Sequence, residues 1–324
     1  MSTLTALRGP ARVVVRQHRW TLWIAGGLAL VAVAGMIAVA LRSSHVAEVF
    51  AASDCPVNGG AGRACDVTAR SYLDSMFKYR GVFDDLALGL MALPAIVSGF
   101  VAGPLIAREL ENGTYKLSWT QSVSPARWLT AKLAVPAVLF LAGTAVLSAG
   151  LHWARSGSDN PYASEWYTAY VFATTGLAPA AHLIFGICVG ALAGLLIRRT
   201  LLALTVSAFV TGAAGVTFTY LRAGLWPRST LTGKSLDVSS NIWWVETGHL
   251  TGDGERLSQG LCDQAVSEGD RTRCFADHDI TGHYLDYHPS SHFWPLQLVE
   301  TGILLALAAV AVAVAFRVLR RRTG

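Results

Sequence analysis

Six long apolar stretches separated by polar ones dominate the pattern along the chain: roughly residues 20–41, 86–106, 128–151, 169–197, 201–221 and 296–316. About 20 helical residues cross a hydrocarbon core of about 30 Å, so each stretch is predicted to be a membrane span. The fourth is longer than one crossing needs and contains Pro179 and His182, which leaves its start open. Two polar segments, 42–85 and 222–295, are long. The connections after the third and fourth spans are short, so those helices are predicted to pack as antiparallel neighbours. The pattern predicts an all-α polytopic membrane protein with a basic N-terminal segment, 1–19, and a six-span domain over 20–324.

The first span has some features of a secretory signal, with basic residues before it and Ala38-Val39-Ala40 resembling a cleavage site. Its apolar run exceeds the roughly 7–15 residues of a signal core, and five spans follow, so it is expected to be retained. Composition agrees with a membrane protein. The 324 residues are 52% hydrophobic and 15% charged, with mean hydropathy +0.42. A soluble domain carries about 25% charged residues.

Charge sets the expected orientation. With the N-terminus inside, the inside segments carry Arg8, Arg12, Arg16 and Arg19, then Arg108, Lys116, Arg127 and Lys132, then Arg198 and Arg199, and finally Arg317, Arg320, Arg321 and Arg322. Only Glu109 and Glu111 oppose them, and the rest of the chain has more acid than base. Basic residues in short loops beside span ends favour the cytoplasmic side. Both termini are therefore expected inside and segments 42–85 and 222–295 outside, in the cell membrane. This asymmetry explains the pI of about 9.1 without nucleic-acid binding. The four N-terminal arginines recur at three- and four-residue spacing, opposite Leu7, Val13 and Val14. Such a stripe suits a helix lying on the inner membrane surface; a basic leader that only sets orientation is the alternative.

Cysteine placement agrees with this orientation. Cys55 and Cys65 fall in the first outside segment, Cys262 and Cys274 in the last, and Cys188 lies inside a span. Two local pairs in an oxidising compartment are expected to form two disulfides. Segment 222–295 also holds Trp226, Trp243, Trp244 and Trp294, residues of a kind that settle at lipid headgroups. Gly186, Gly190 and Gly194 repeat on one face of the fourth span, a spacing that lets helix backbones approach closely, more often within one chain than between two.

Several patterns have the look of chemistry without its requirements. Asn112-Gly113-Thr114 matches a glycosylation sequon but is expected inside. Gly233-Lys234-Ser235 ends like a phosphate-binding loop, yet Arg228 stands where that motif needs Gly. With no complete nucleotide-binding motif and no H-E-x-x-H in the chain, neither ATP hydrolysis, nor a catalytic set, nor a cofactor is expected of it. His278, His283, His288 and His292, with Asp277, Asp279 and Asp286, could supply metal ligands. Their spacing fits no standard ligand frame, so an ordinary polar surface is expected and no metal site is assigned. Within the spans His182 and Glu300 stand apart, too few for a proton relay, and His182 is expected as a packed neutral imidazole.

Between the second and third spans lies "ARELENGTYKLSWTQSVSPARWLTAK", residues 107–132. Pro104 can bend or restart a helix. The next two turns are predicted to be helical, with Ile106 and Leu110 on one side and Arg108, Glu109 and Glu111 solvent-accessible. Asn112-Gly113 is a helix stop, with Gly in the left-handed position after the cap. Arg127 and Lys132 are expected to anchor the third span at the headgroups. A short helix presenting acidic residues suits docking into a partner's groove, while a plain juxtamembrane turn is the bland alternative.

The arrangement G-P-x-x-A-R-E-x-E-x-G-T-x-x-L-x-x-T-Q, then P-x-R-W and a Lys, runs through Gly103, Arg108, Glu109, Glu111, Gly113, Thr114, Leu117, Gln121, Arg127 and Lys132. It resembles the second-to-third span loop of ABC-2 type exporter permeases, particularly actinobacterial subunits encoded apart from their ATPase. The six-span layout, the basic N-terminus and the enlarged last outside loop extend the resemblance over nearly the whole chain. The resemblance implies that this loop is a coupling helix contacting a separate ABC ATPase subunit. Arg108, Glu109 and Glu111 would be its charged contacts and Gly113–Thr114 its turn. It also implies a pathway lined by two permease subunits, a homodimer or a heterodimer with a paralogue. A secondary transporter would need intramembrane charges or paired broken helices. A membrane sensor or scaffold would use the large 222–295 segment to bind a ligand. Both stay open on the residues alone.

Overall fold

The computed structural model describes residues 19–58, 60, 62–116, 124–157, 160–238 and 241–323. The side chains of the N-terminal arginine stripe, together with Leu117 and Gln121, lie outside the described residues. Among the described residues, six helices are long and apolar enough to cross a membrane. The chain divides into two compact units, one holding residues up to Thr217 and from Thr301 onward, the other Phe218–Glu300.

The first unit is helical. Helix α1 spans Arg19–Ala51 and α2 Arg63–Val97, so segment 42–85 is largely a continuation of two helices and not an irregular polar loop. The turn foreseen at "NGGAGRAC" remains, with Gly60 and Gly62 in the positive-φ region at +94° and +101°. Cys55 is bonded to Cys65 across it, with Cα atoms 5.3 Å apart. Phe50 and Tyr72 stack beside it at 4.1 Å, over buried Met76 and Ala69. These apolar positions give the helical extensions something to bury, which is why they persist past the apolar runs.

Helix α2 passes through a π-turn, Ser98–Ala102, into α3, Gly103–Glu111. Pro104 cannot donate to the carbonyl four residues back, so the α-helical ladder fails here and the chain crosses the gap with the wider turn. Helix α4 spans Pro125–Ser156, capped by Ser124, whose hydroxyl accepts from Arg127 N. Asp84 of α2 accepts from Arg80, from Arg155 of α4 and from Ser164, tying α4 and the next segment to α2.

The overlong fourth stretch is two helices, α5 (Ala169–Thr174) and α6 (Ala178–Ile197). Gly176, with φ +70°, breaks them, and Pro179 sits in the first turn of α6, where its missing N–H costs nothing. His182 therefore lies one turn inside α6 rather than deep in a span, and it is buried. Helix α7 follows over Thr200–Leu221 and the last helix, α9, spans Phe293–Thr323.

The glycine ridge of α6 packs within the chain. A Cβ on Gly190 would lie 2.7 Å from Ala102 Cβ and 2.8 Å from Ser98 O, so only glycine admits the π-turn this closely. Ser98 is the buried polar knot of that contact. Its hydroxyl donates to Gly186 O at 2.7 Å, Thr211 of α7 donates to it at 3.0 Å, and Ser207 of α7 donates to Ser98 O at 3.1 Å. The π-turn is thus bonded to both α6 and α7.

In the second unit, segment 222–295 forms a four-stranded antiparallel sheet, an addition to the helical architecture that the apolar pattern did not foretell. Strands β1 (Ser229–Gly233), β2 (Ile242–Thr251), β3 (Arg256–Ser258) and β4 (Ile280–Pro289) stand in the order β1-β4-β2-β3. Helix α8 (Glu268–Asp277) is held by the bond between Cys274 and Cys262. The four histidines of 277–292 are not gathered around one point. His283 meets His249, its cross-strand neighbour, while His288 meets His292. No cluster of three or more metal-ligating side chains occurs among the described residues. Glu300, apart in the sequence, pairs with Arg222 at 2.9 Å, and both are almost completely buried. Of the four tryptophans, Trp226, Trp244 and Trp294 are exposed.

Candidate functional site

The segment singled out by sequence, Arg108, Glu109, Glu111, Gly113 and Thr114, ends helix α3 and makes the turn after it. Asn112 caps the helix, its N–H bonding Arg108 O at 3.0 Å, and Gly113 takes the left-handed conformation at φ +70°. The Thr114 hydroxyl donates to the Glu109 carbonyl, one of the terminal acceptors left without a helical partner. The turn therefore forms by the cap chemistry read from Asn-Gly.

The acidic side chains do not behave alike. Successive helical residues are rotated by about 100°, so Glu109 and Glu111 point to nearly opposite sides of α3. Glu109 turns inward: its Oε1 accepts from Lys132 Nζ at 2.5 Å and its Oε2 from Trp128 Nε1 at 2.8 Å. Both donors lie on α4, one turn apart. The Glu109 side chain is 15% exposed, so the expectation that it is solvent-accessible is revised. So is that of Lys132 as a headgroup anchor, because its side chain is only 4% exposed.

Glu111 is exposed and reaches the start of α7. Its Oε2 accepts from Thr200 N at 2.9 Å and from Thr200 Oγ1 at 2.5 Å. A free N–H at a helix start needs such an acceptor, and the carboxylate also suits the positive end of the helix dipole. Arg108 is exposed. Beneath the segment Ile106, Trp128, Leu129, Ala191, Leu195, Ala315 and Leu319 form one buried cluster, so α3, α4, α6 and α9 share a core here. Arg322 of α9 donates to Leu195 O at 2.7 Å, closing the same end of the unit.

The outcome is a short amphipathic helix bonded to α4 through Glu109 and to α7 through Glu111, and packed closely on Gly194 of α6. Arg108 and Glu111 stay exposed on its outer surface, as does Lys116 after the turn, and Arg199, beside Thr200, lies near Glu111. Sequence reading missed Trp128 and Thr200 as partners. The available signal was a Trp and a Lys four residues apart at the start of a span, on one helix face.

The family model for ABC-2 membrane transporter related proteins matches residues 14–222, well over half of the chain. The chain belongs to this family and is a multi-pass membrane protein, a transporter component of the permease type. The match ends at residue 222, before the first strand of the sheet-bearing unit at Ser229. No curated protein and no solved structure matches the chain.

Proposed function

We propose that the chain is the membrane subunit of an ABC exporter, driven by a separate ATPase subunit that docks on α3 and the turn following it. The observation that carries this reading is the double tie of α3, through Glu109 to α4 and through Glu111 to α7. A push on this helix cannot be absorbed locally; it moves two spans and, through the π-turn, a third. That is what a mechanical input element requires. Arg108 and Glu111 are the exposed charges suited to the contact, with Gly113–Thr114 as the turn. Glu109 transmits rather than docks.

On this reading both termini face the cytoplasm, the basic 1–19 segment lies along the inner membrane surface, and the sheet-bearing segment faces outside. The charge asymmetry of the chain supports that orientation. Two copies, or this chain and a paralogue, line one pathway for a cargo compatible with its apolar walls. A second reading, a sensor or scaffold, is favoured by one observation, the compact disulfide-closed sheet unit.

The test is co-purification from gently solubilised native membranes. The exporter reading expects a stoichiometric ATPase subunit with the wild-type chain and its loss when Arg108 and Glu111 are both charge-reversed. Absence of any ATPase with a well-folded wild-type chain would shift the assignment to the sensor reading.

A further inference from the structure

His288 occupies an unusual place in the second unit. Its ring is fully buried on β4, opposite Trp243 of β2, with ring centroids 5.4 Å apart. Its Nε2 is 3.0 Å from Ala223 O, in the turn after α7, and its Nδ1 is 3.0 Å from His292 Nδ1, in the turn leading into α9. One imidazole thus joins the strand to the segments beside the ends of two long helices.

The carbonyl fixes the protons. Ala223 O can only accept, so Nε2 of His288 carries the hydrogen. A neutral imidazole has one N–H, which makes Nδ1 an acceptor and makes His292 Nδ1 the donor. Nε2 of His292 takes part in neither bond, so a proton there leaves both standing. With both His292 nitrogens carrying hydrogen, a proton on His288 Nδ1 would set two N–H groups against each other at 3.0 Å. The clasp must then open.

Among the described residues the neighbours offer His288 no compensating anion. From the segment before β1 comes Arg228, whose exposed ion pair is with Glu246; from the turn before α9 comes His292; β2 contributes Trp243. On the same strand Asp286 is already engaged by Arg256 and Thr230, and Arg222, beside Ala223, is committed to Glu300. Burial first, and then the nearby positive charges, hold the His288 imidazole below its ordinary pKa, against the opposing pull of the Ala223 carbonyl.

We propose that His288 is a proton-operated clasp, closed in its neutral form through Ala223 and His292 and released when acidification of the medium around the sheet unit protonates its Nδ1. The ligand of this regulatory site is the proton, and the element it frees is strand β4 from the turns at 222–224 and 290–292. The inference is independent of the ATPase-coupling proposal.

Hydrogen–deuterium exchange of the full chain in lipid nanodiscs tests it, comparing about pH 7.5 with about pH 5, a range that spans the ordinary histidine transition. After correction for intrinsic exchange, segments 219–228 and 284–296 of the wild type should lose protection by about tenfold on acidification, while α2 and α6 hold theirs. His292→Gln is the decisive variant. Its amide can offer either a donor or an acceptor to Nδ1, so the clasp survives protonation and the acid response should vanish. His292 is partly exposed, which spares the fold. Wild-type protection that does not change with pH, or an equal acid response in His292→Gln, would overturn the proposal.

Discussion

Glu109 of α3 and Lys132 of α4 meet at 2.5 Å, with the lysine side chain 4% exposed and the carboxylate 15% exposed. A buried ammonium is tolerable only with such a partner, and Trp128 occupies the second carboxylate oxygen. The pair is therefore a joint between two helices rather than a surface charge awaiting a visitor.

Removing one side of this joint should be costly. Glu109→Gln leaves Lys132 buried with a neutral partner, and breaking a buried pair costs about 3–5 kcal/mol. The thermal midpoint in detergent is expected to fall clearly, and Glu109→Gln with Lys132→Met should recover most of the loss, because no lone charge remains. A single variant as stable as the wild type would show that the joint carries no load.

Gly190 faces the π-turn with no room for a methyl group. Gly190→Ala should destabilise by about 1–3 kcal/mol through overpacking against Ala102 and Ser98. Gly143 of α4 has nothing within 4 Å of an added Cβ, so Gly143→Ala should leave the midpoint unchanged or slightly raised. Equal effects of the two substitutions in the same melting assay would contradict the close helix contact.

The bond between Cys262 and Cys274 closes a loop with a sequence separation of 12 in the sheet unit. A loop of about this length stabilises by roughly 3 kcal/mol in the chain-entropy picture. Replacing both cysteines by Ser should make 256–280 the first site of limited proteolysis while the helical unit stays resistant. Proteolysis at the wild-type rate would mean that the sheet alone holds α8.

Stability of the sheet unit should fall on acidification, in two stages. His288 is held below the ordinary 6.5 chiefly by burial, so its neutral form favours the folded state. That contribution is complete above about 6.5 and is lost as pH falls through the lower folded value. Burial raises the Asp286 pKa, but bonds from Thr230 and Arg256 outweigh it and leave the pKa below the ordinary 3.8. Its contribution is complete above that value and is lost as pH falls through the lower folded one. Chemical denaturation monitored by tryptophan fluorescence should show the first stage removed in His288→Gln and the second in Asp286→Asn. A stability profile rising toward acid would contradict both assignments.

Much of the membrane architecture was legible along the chain. Six apolar runs specify six long helices because a span's own residues satisfy its backbone and face lipid, so local composition suffices. The Asn112-Gly113 stop was legible for the same local reason, as was the glycine ridge on α6. The sheet of 222–295 was harder to read. Its strands are short and mixed in polarity, and β2 gains its partners from β4, some forty residues away, so no local period announces it.

What the sequence by itself determined, then, is where helices cross, where α3 stops and which cysteines are neighbours, all consequences of short-range chemistry. Only the tertiary structure decided the roles of the two carboxylates of α3. Two residues apart on one helix, they look equivalent in the sequence; packing against α4 buries Lys132 beside Glu109, and the start of α7 brings the unpartnered Thr200 N–H to Glu111. Which side of a helix meets which neighbour depends on the bundle as a whole, and that choice turned one acid into a buried joint and left the other at the surface.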